Sequence, residues 1–182
     1  MSERRLTISL ALEAEIRRHG EATYPHECCG ALVGRDQAVT SIVPLPNTTE
    51  EGPRRRFLVR PADYREAEQR SAERGGDLLG FYHSHPDHPA RPSQYDLDHA
   101  WPTFAYIIVS VAGASASNNA PADASRRSPD SSRQGAAGTT VKGAKADDMT
   151  VWYLKDDRSS FDEGTLHHGE NPHPDTAPAV HR

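Results

Sequence analysis

The stretch "HSHPDHPARPSQYD", residues 83–96, leaves the chain less freedom than any other. It closes a strand-like run, "DLLGFYHSH" (77–85). Strand side chains alternate, so His83 and His85 leave one face and Ser84 the other. Pro86, Pro89 and Pro92 stiffen the seven residues that follow. Ser93 and Asp96 then stand at i,i+3 spacing, on one side of a helical turn that starts near Ser93. A loop that folds this turn back over the strand brings two imidazole nitrogens and one carboxylate oxygen to a point.

The flanking pattern places this stretch within a mixed fold. Residues 10–20 read as a helix with Leu12, Ile16 and His19 on one face and Ser9 as its cap. "GALVG" (30–34) and "AVTSIVPL" (38–45) read as a hairpin. "RRFLVR" (55–60) reads as a further strand. Pro61 opens a second helix over 61–74, with Glu66 and Arg70 paired at i,i+4 and Gly75-Gly76 as the stop. "FAYIIVSV" (104–111) is the most apolar strand and is expected to be central. "MTVWYLKDD" (149–157) is expected to pair beside it.

Between these last two strands the composition changes. Residues 112–148 hold one large aliphatic residue, Val141, and no aromatic residue. Such a segment cannot bury enough apolar surface to offset its ordering entropy. The expected organisation is one domain over 1–111 and 149–166, a disordered low-complexity insertion at 112–148 and a flexible, Pro-containing tail at 167–182. The chain has 182 residues, 35% of them hydrophobic, with a formal net charge of −5. That balance argues against nucleic acid as a partner. No apolar run reaches spanning length, so no membrane partner is expected either. The apolar part of "MSERRLTISLALEAEIRRHG" is short and broken by Glu13 and Glu15, unlike a secretory signal. The only cysteines, Cys28 and Cys29, are adjacent, which points to a reducing cytoplasm.

The chemistry narrows with the donor set. Three protein ligands and one open position are the pattern of catalytic zinc, whereas structural zinc uses four ligands with several thiolates. A His,His,carboxylate set also suits iron, which stays open as the lesser alternative. Water bound to a metal needs a base, and Glu27 in "YPHECCGALVG" (24–34) stands just before the first hairpin strand. The "HE" of His26-Glu27 does not extend to HExxH, because Gly30 occupies the second His position. A zinc deaminase would need Pro-Cys-x-x-Cys, which is absent.

Taken together, Glu27 upstream and His83-Ser84-His85 followed by Ser93 and Asp96 resemble the JAMM (MPN-plus) metalloproteases. The resemblance covers about residues 5–111 and 149–166. It implies an α/β fold of the α+β type, a curved mixed β-sheet flanked by helices in the JAMM/MPN, cytidine-deaminase-like architecture. It also implies Zn2+ on His83, His85 and Asp96, with Glu27 as general base and Ser93 donating to the oxyanion. "HECCGALVG" and "GFYHSHPDHPARPSQYDLDHAW" are similar to short stand-alone bacterial members linked to ubiquitin-like sulfur-carrier proteins. For those the implied reaction is hydrolysis after a C-terminal Gly-Gly, releasing cysteine or a short extension. An isopeptidase acting on lysine and a non-catalytic MPN scaffold are the alternatives, and the complete ligand set ranks the scaffold last. Nothing in the sequence fixes the oligomeric state.

Other chemistry-bearing residues take plainer readings. Asp87 and His88 are expected on the loop rim, and His99 at the surface or behind the ligands. Cys28 and Cys29 are expected as small buried side chains rather than nucleophiles. Trp101 is expected against the core or walling the cleft. His167, His168, His173 and His181 are expected in the tail, and Arg54-Arg55-Arg56 on a solvated face.

Overall fold

A computed structural model describes residues 4–47, 61–113 and 144–169. The expected strand at 55–60, the bulk of the insertion, and residues 170–182 lie outside the described residues. Strand β1 (Arg5–Ile8) leads into helix α1 (Leu10–Thr23). Ser9 caps α1, its side chain accepting from the Leu12 amide, and Leu12 and Ile16 are buried. The helix runs three residues past the expected end, because Gly20 is packed rather than stopping it. A Cβ there would come within 2.9 Å of the Val111 side chain. Pro25, which disfavours helix in the residue before it, follows Tyr24 at the end of the helix.

The hairpin is present as β2 (Cys29–Arg35) and β3 (Ala38–Leu45), antiparallel around a two-residue turn. Asp36 and Gln37 both have positive φ, 51° and 63°, as a type I′ turn requires. Helix α2 (Pro61–Glu73) starts at the expected proline and carries the Glu66–Arg70 pair at 2.5 Å. Then come β4 (Asp77–Pro86), α3 (Gln94–His99), β5 (Ala105–Ala112) and β6 (Lys145–Leu154). β7 (Phe161–Glu163) and β8 (Thr165–His168) complete the chain of elements.

All eight strands join one mixed sheet in the order β7-β6-β5-β4-β2-β3-β1-β8. β7 and β8 sit at opposite ends of that order, yet only Gly164 separates them in the chain. The sheet must therefore curl until its two edges meet, and the Gly164 amide donates to the Val151 carbonyl at 2.8 Å. This is the curved mixed sheet flanked by helices that the sequence led us to expect. Gly164 is tightly enclosed there, since a Cβ would lie 2.5 Å from the Tyr153 ring.

Each face of the sheet carries an apolar cluster. One contains Leu12 and Ile16 of α1 with Leu32, Tyr82, Ile107 and Val109. The other contains Ala31, Val33, Phe81 and Tyr106, with Ala67 of α2 and, at its margin, Leu97 of α3. β5 lies inside the sheet between β4 and β6, and β6 pairs with it antiparallel as expected. β6 begins at Lys145, four residues before the expected return to order. Lys145 pairs with Ala112, so the chain leaves and re-enters the sheet at neighbouring positions. A segment whose ends already meet costs the fold little as it lengthens.

Three strands escaped the sequence reading. β1, β7 and β8 are four, three and four residues long, too short to show a period. β8 also takes in His167 and His168, which were expected in a loose tail. Register pairs His168 with Ile8, and its ring is hydrogen-bonded to Glu13. Parallel pairing to β1 supplies an order that local composition does not signal. No helix of the described residues is long and apolar enough to cross a membrane.

Gly30 offers a test of the packing. A Cβ at this position would come within 2.3 Å of the Tyr82 ring, which is fully buried. Gly30→Ala should therefore cost about 1–3 kcal/mol through overpacking. Urea unfolding monitored by far-ultraviolet circular dichroism measures it, and an unchanged midpoint would show that the Tyr82 ring moves aside freely.

Candidate metal centre

The site is built where β4 ends. His83 and His85 project from the face that also carries Phe81, and both are buried, at 1% and 7% exposure. Ser84 points to the α1 side, where its hydroxyl accepts from the Cys28 amide at 2.8 Å. Its own amide donates to the Cys28 carbonyl at 3.1 Å. The β2–β4 register sets Cys29 opposite His83. Two residues further along, on the same face, Glu27 comes close enough to His85 for their charges to interact. Glu27 is 4% exposed, and the Asn47 side chain donates to its carbonyl at 3.1 Å.

Asp96 arrives from α3. Ser93 caps this helix in a capping box, its hydroxyl accepting from the Asp96 amide at 3.2 Å. The Asp96 carboxylate in turn accepts from the Ser93 amide and hydroxyl, both at 2.6 Å. The same i,i+3 spacing that nucleates the helix therefore aims the carboxylate. Asp96 Oδ1 lies 3.2 Å from His83 Nε2, and Oδ2 lies 3.5 Å from His85 Nε2. The two Nε2 atoms are 3.0 Å apart.

These separations suit a metal. Tetrahedral bonds of about 2.0–2.1 Å imply donors about 3.3 Å apart, and the three distances straddle that value. The donor chemistry agrees. His85 Nδ1 lies 3.0 Å from the Pro89 carbonyl, which can only accept, so Nδ1 carries the proton. In the neutral ring Nε2 then presents a lone pair to the cluster, the tautomer that metal-ligating histidines adopt. Among the described residues, His83, His85 and Asp96 are the group whose ligand atoms gather within 4.8 Å of one another.

Burial and charge set the protonation states. Burial disfavours the charged form of His83 and lowers its pKa, despite the Asp96 carboxylate. Burial opposes ionisation of Asp96 too, but His83 and His85 override it and hold its carboxyl well below the usual carboxylate range. Glu27 goes the other way. Desolvation pushes it up to about 8, with His85 pulling down and Asp96 pushing further up. Cys28 is pushed up to about 12, chiefly by burial, so its thiol is not a nucleophile at neutral pH.

A cleft of about 310 Å³ opens over this cluster, lined by Glu27, His85, His88, Pro89, Arg91 and Ser93. The site residues expected from sequence thus come together, Glu27, His85 and Ser93 on the cleft wall and His83 and Asp96 beside them. His88 is on the rim as expected, but Asp87 is an anchor. Its carboxylate accepts from the Tyr24 hydroxyl at 2.8 Å and the Gly113 amide at 3.1 Å. Trp101 stacks on Tyr64 with centroids 5.1 Å apart and is not among the lining residues. His99 is exposed, stacked on Tyr95. Sequence reasoning missed Arg91, and the only available signal was its place inside the proline loop.

Comparison with known proteins gives a consistent picture. The family profile described as prokaryotic homologs of the JAB domain matches residues 9–127. A protein of Haloferax volcanii named desampylase is 37% identical over 92 residues, covering 49% of this chain and 66% of its own length. A Thermus thermophilus protein named probable TtuB-protein conjugate cleaving protease is 33% identical over 108 residues, covering 59% of this chain and 72% of its own. Tail tip assembly protein K of Escherichia phage N15 is 37% identical over 81 residues. The match spans 44% of this chain and only 30% of the phage protein. Against the first two of these curated relatives by significance, the desampylase and the phage protein, this chain spans less than two thirds of their lengths. A solved Salinibacter ruber protein superposes with a TM-score of 0.58 at 31% identity, over 93% of this chain and 95% of that one.

The Glu27 shift has a measurable consequence in metal-free protein. Its folded pKa lies above the unfolded value of 4.5, so the native state holds a proton that the unfolded state releases between pH 4.5 and about 8. Across that window its contribution to stability falls as pH rises, by up to about 1.4 kcal/mol per unit. Chelator-treated Glu27→Gln, which cannot titrate, should therefore gain on wild type in urea unfolding between those pH values. Parallel curves would mean that the carboxyl is unperturbed.

Proposed function

Because the chain belongs to the family of prokaryotic homologues of the JAB domain, we propose that it is a zinc-dependent peptidase cutting after the C-terminal Gly-Gly of a ubiquitin-like sulfur carrier. The observation that carries this reading is the buried His83, His85 and Asp96 cluster with Glu27 beside it on one cleft. In this reading those three residues hold the ion. Zinc in a three-donor site supplies Lewis acidity toward water and the scissile carbonyl.

The protein's own groups do the rest. Glu27 takes a proton from the attacking water on its carboxylate and delivers it to the nitrogen of the leaving amine. Its buried setting, which favours the protonated form, suits a group that must hold that proton between the two transfers. Ser93 is the candidate donor to the oxyanion. Its hydroxyl proton is directed at Asp96 and must turn toward the cleft to serve. Pro89 and the loop that carries it form a wall against which an extended chain end can lie. Glycines suit such a wall because they bring no side chains to clash.

A second reading changes only the leaving group, from the α-amine of a C-terminal residue to the ε-amine of a lysine. The relative named as a conjugate-cleaving protease favours it. The bond attacked and the groups assigned are the same.

Purified protein should contain about one zinc per chain, and the His83→Ala, His85→Ala double variant should contain none, as read by plasma emission spectrometry. Retention of zinc by the double variant would remove these ligands from the mechanism. Glu27→Gln should keep the zinc and lose activity about a hundredfold or more. Turnover at the wild-type rate would show that the base lies elsewhere. For the substrate, carriers ending Gly-Gly-Cys and Ala-Leu-Cys can be compared by intact mass. Cleavage of the first alone is expected, and equal cleavage of both would dismiss the Gly-Gly requirement. Cleavage of neither, with cleavage of a Gly-Gly–lysine isopeptide, would select the second reading.

A further inference from the structure

Resting on the hydrolysis proposed above, the geometry points to Arg91 as a carboxylate-binding subsite that recognises the free α-carboxylate of a single C-terminal residue leaving after Gly-Gly. Arg91 lines the cleft together with Glu27, His85 and Ser93. It is the one arginine or lysine among the lining residues, so it carries a permanent positive charge there. Among the described residues no ion pair or side-chain hydrogen bond holds its guanidinium. Two carboxylates stand at this site, Glu27 and Asp96, and Arg91 is paired to neither. A guanidinium is well matched to a carboxylate, which it binds through two parallel hydrogen bonds.

The backbone that presents Arg91 is held in place. The preceding carbonyl, that of Ala90, accepts from the Thr150 hydroxyl and from Trp152 Nε1, both on β6. The Arg91 amide donates to the Pro89 carbonyl at 2.8 Å. Further back, the Ser110 hydroxyl donates to the His88 carbonyl at 2.7 Å, and the Asp87 amide donates to the Val111 carbonyl at 2.8 Å. Pro92 follows and restricts the backbone on the other side. Binding through Arg91 therefore requires ordering of its side chain alone, which lowers the entropic cost.

The chemistry of the leaving group explains why a cation belongs here. In a C-terminal residue only the α-carbon separates the amine from the carboxylate. The groups that handle that amine and the group that handles that carboxylate must then line one small cleft, as Glu27 and Arg91 do. A lysine ε-amine stands at the end of a four-carbon stem and brings no such carboxylate. Arg91 thus separates a terminal peptide bond from an isopeptide.

Peptides ending Gly-Gly-Cys, as the free acid and as the C-terminal amide, test this in two ways. In zinc-loaded Glu27→Gln, calorimetric titration should give about tenfold tighter binding of the acid. Adding Arg91→Ala should abolish that preference, and Arg91→Lys should restore part of it. In wild-type protein the same preference should appear in KM, with kcat for the two peptides within about threefold. Arg91→Ala should keep its zinc and its urea midpoint. Equal binding of acid and amide by the Glu27→Gln protein would overturn the subsite while leaving the hydrolytic reading intact. Equal weakening of both peptides by Arg91→Ala would overturn it too. An Arg91-dependent preference in binding without any cleavage would uphold the subsite and bring down the hydrolytic reading instead.

Discussion

The site depends on one register, that of β4 against β2. Cys29 stands opposite His83, and the two hydrogen bonds between Ser84 and Cys28 lock the strands where β4 ends. A slip of one residue would turn His83 and His85 to the α1 side and Ser84 to the cleft, because strand side chains alternate. The lock lies on the opposite face from the cluster, so the groups that fix the register leave His83 and His85 to face Asp96. Apolar packing reinforces it. Tyr82 is buried with α1, and its hydroxyl is 2.9 Å from His19 Nδ1.

A second constraint brings α3 to the strand. Residues between Pro86 and Ser93 are tied to the C-cap of α1 through Tyr24, to β5 through Ser110 and Val111, and to β6 through Thr150 and Trp152. These contacts come from three elements distant in sequence, and they convert a stiff loop into a fixed one. Ser93 then starts a helix of only six residues, too short to be stable by itself. It survives because its cap and the cluster share Asp96, and because Leu97 packs against the apolar face with Phe81 and Tyr106. Helix nucleation and placement of the carboxylate are one event.

Burial gives the acidic groups different properties. Asp96 and Glu27 are carboxylates close enough to feel each other's charge. Asp96 faces two imidazoles and stays ionised, whereas Glu27 is dominated by desolvation and favours its proton. One can be a permanent ligand and the other a carrier of protons. Two residues of one chemical type thus take separate roles from their surroundings alone.

Much of this was legible in the sequence. The period of two through His83 and His85, the i,i+3 step from Ser93 to Asp96, the turn at Asp36-Gln37 and Pro61 at the start of α2 are local signals, each set by backbone sterics or a side chain's own hydrogen bond. They placed most of the long elements and the members of the cluster. What they could not show was anything that depends on distant partners. β1, β7 and β8 are ordered by pairing with strands far along the chain, and Gly164 carries the turn that closes the sheet. Asp87 reads as one more polar loop residue until Tyr24 and Gly113 are seen to reach it. Arg91 has no pattern of its own and becomes distinctive only when β6 clamps Ala90 beside it. The sequence by itself determined which side chains can meet a metal, because spacing and backbone geometry act over a few residues. Only the tertiary structure decided what surrounds them, because burial, register and charge environment are made by segments that sequence order keeps apart.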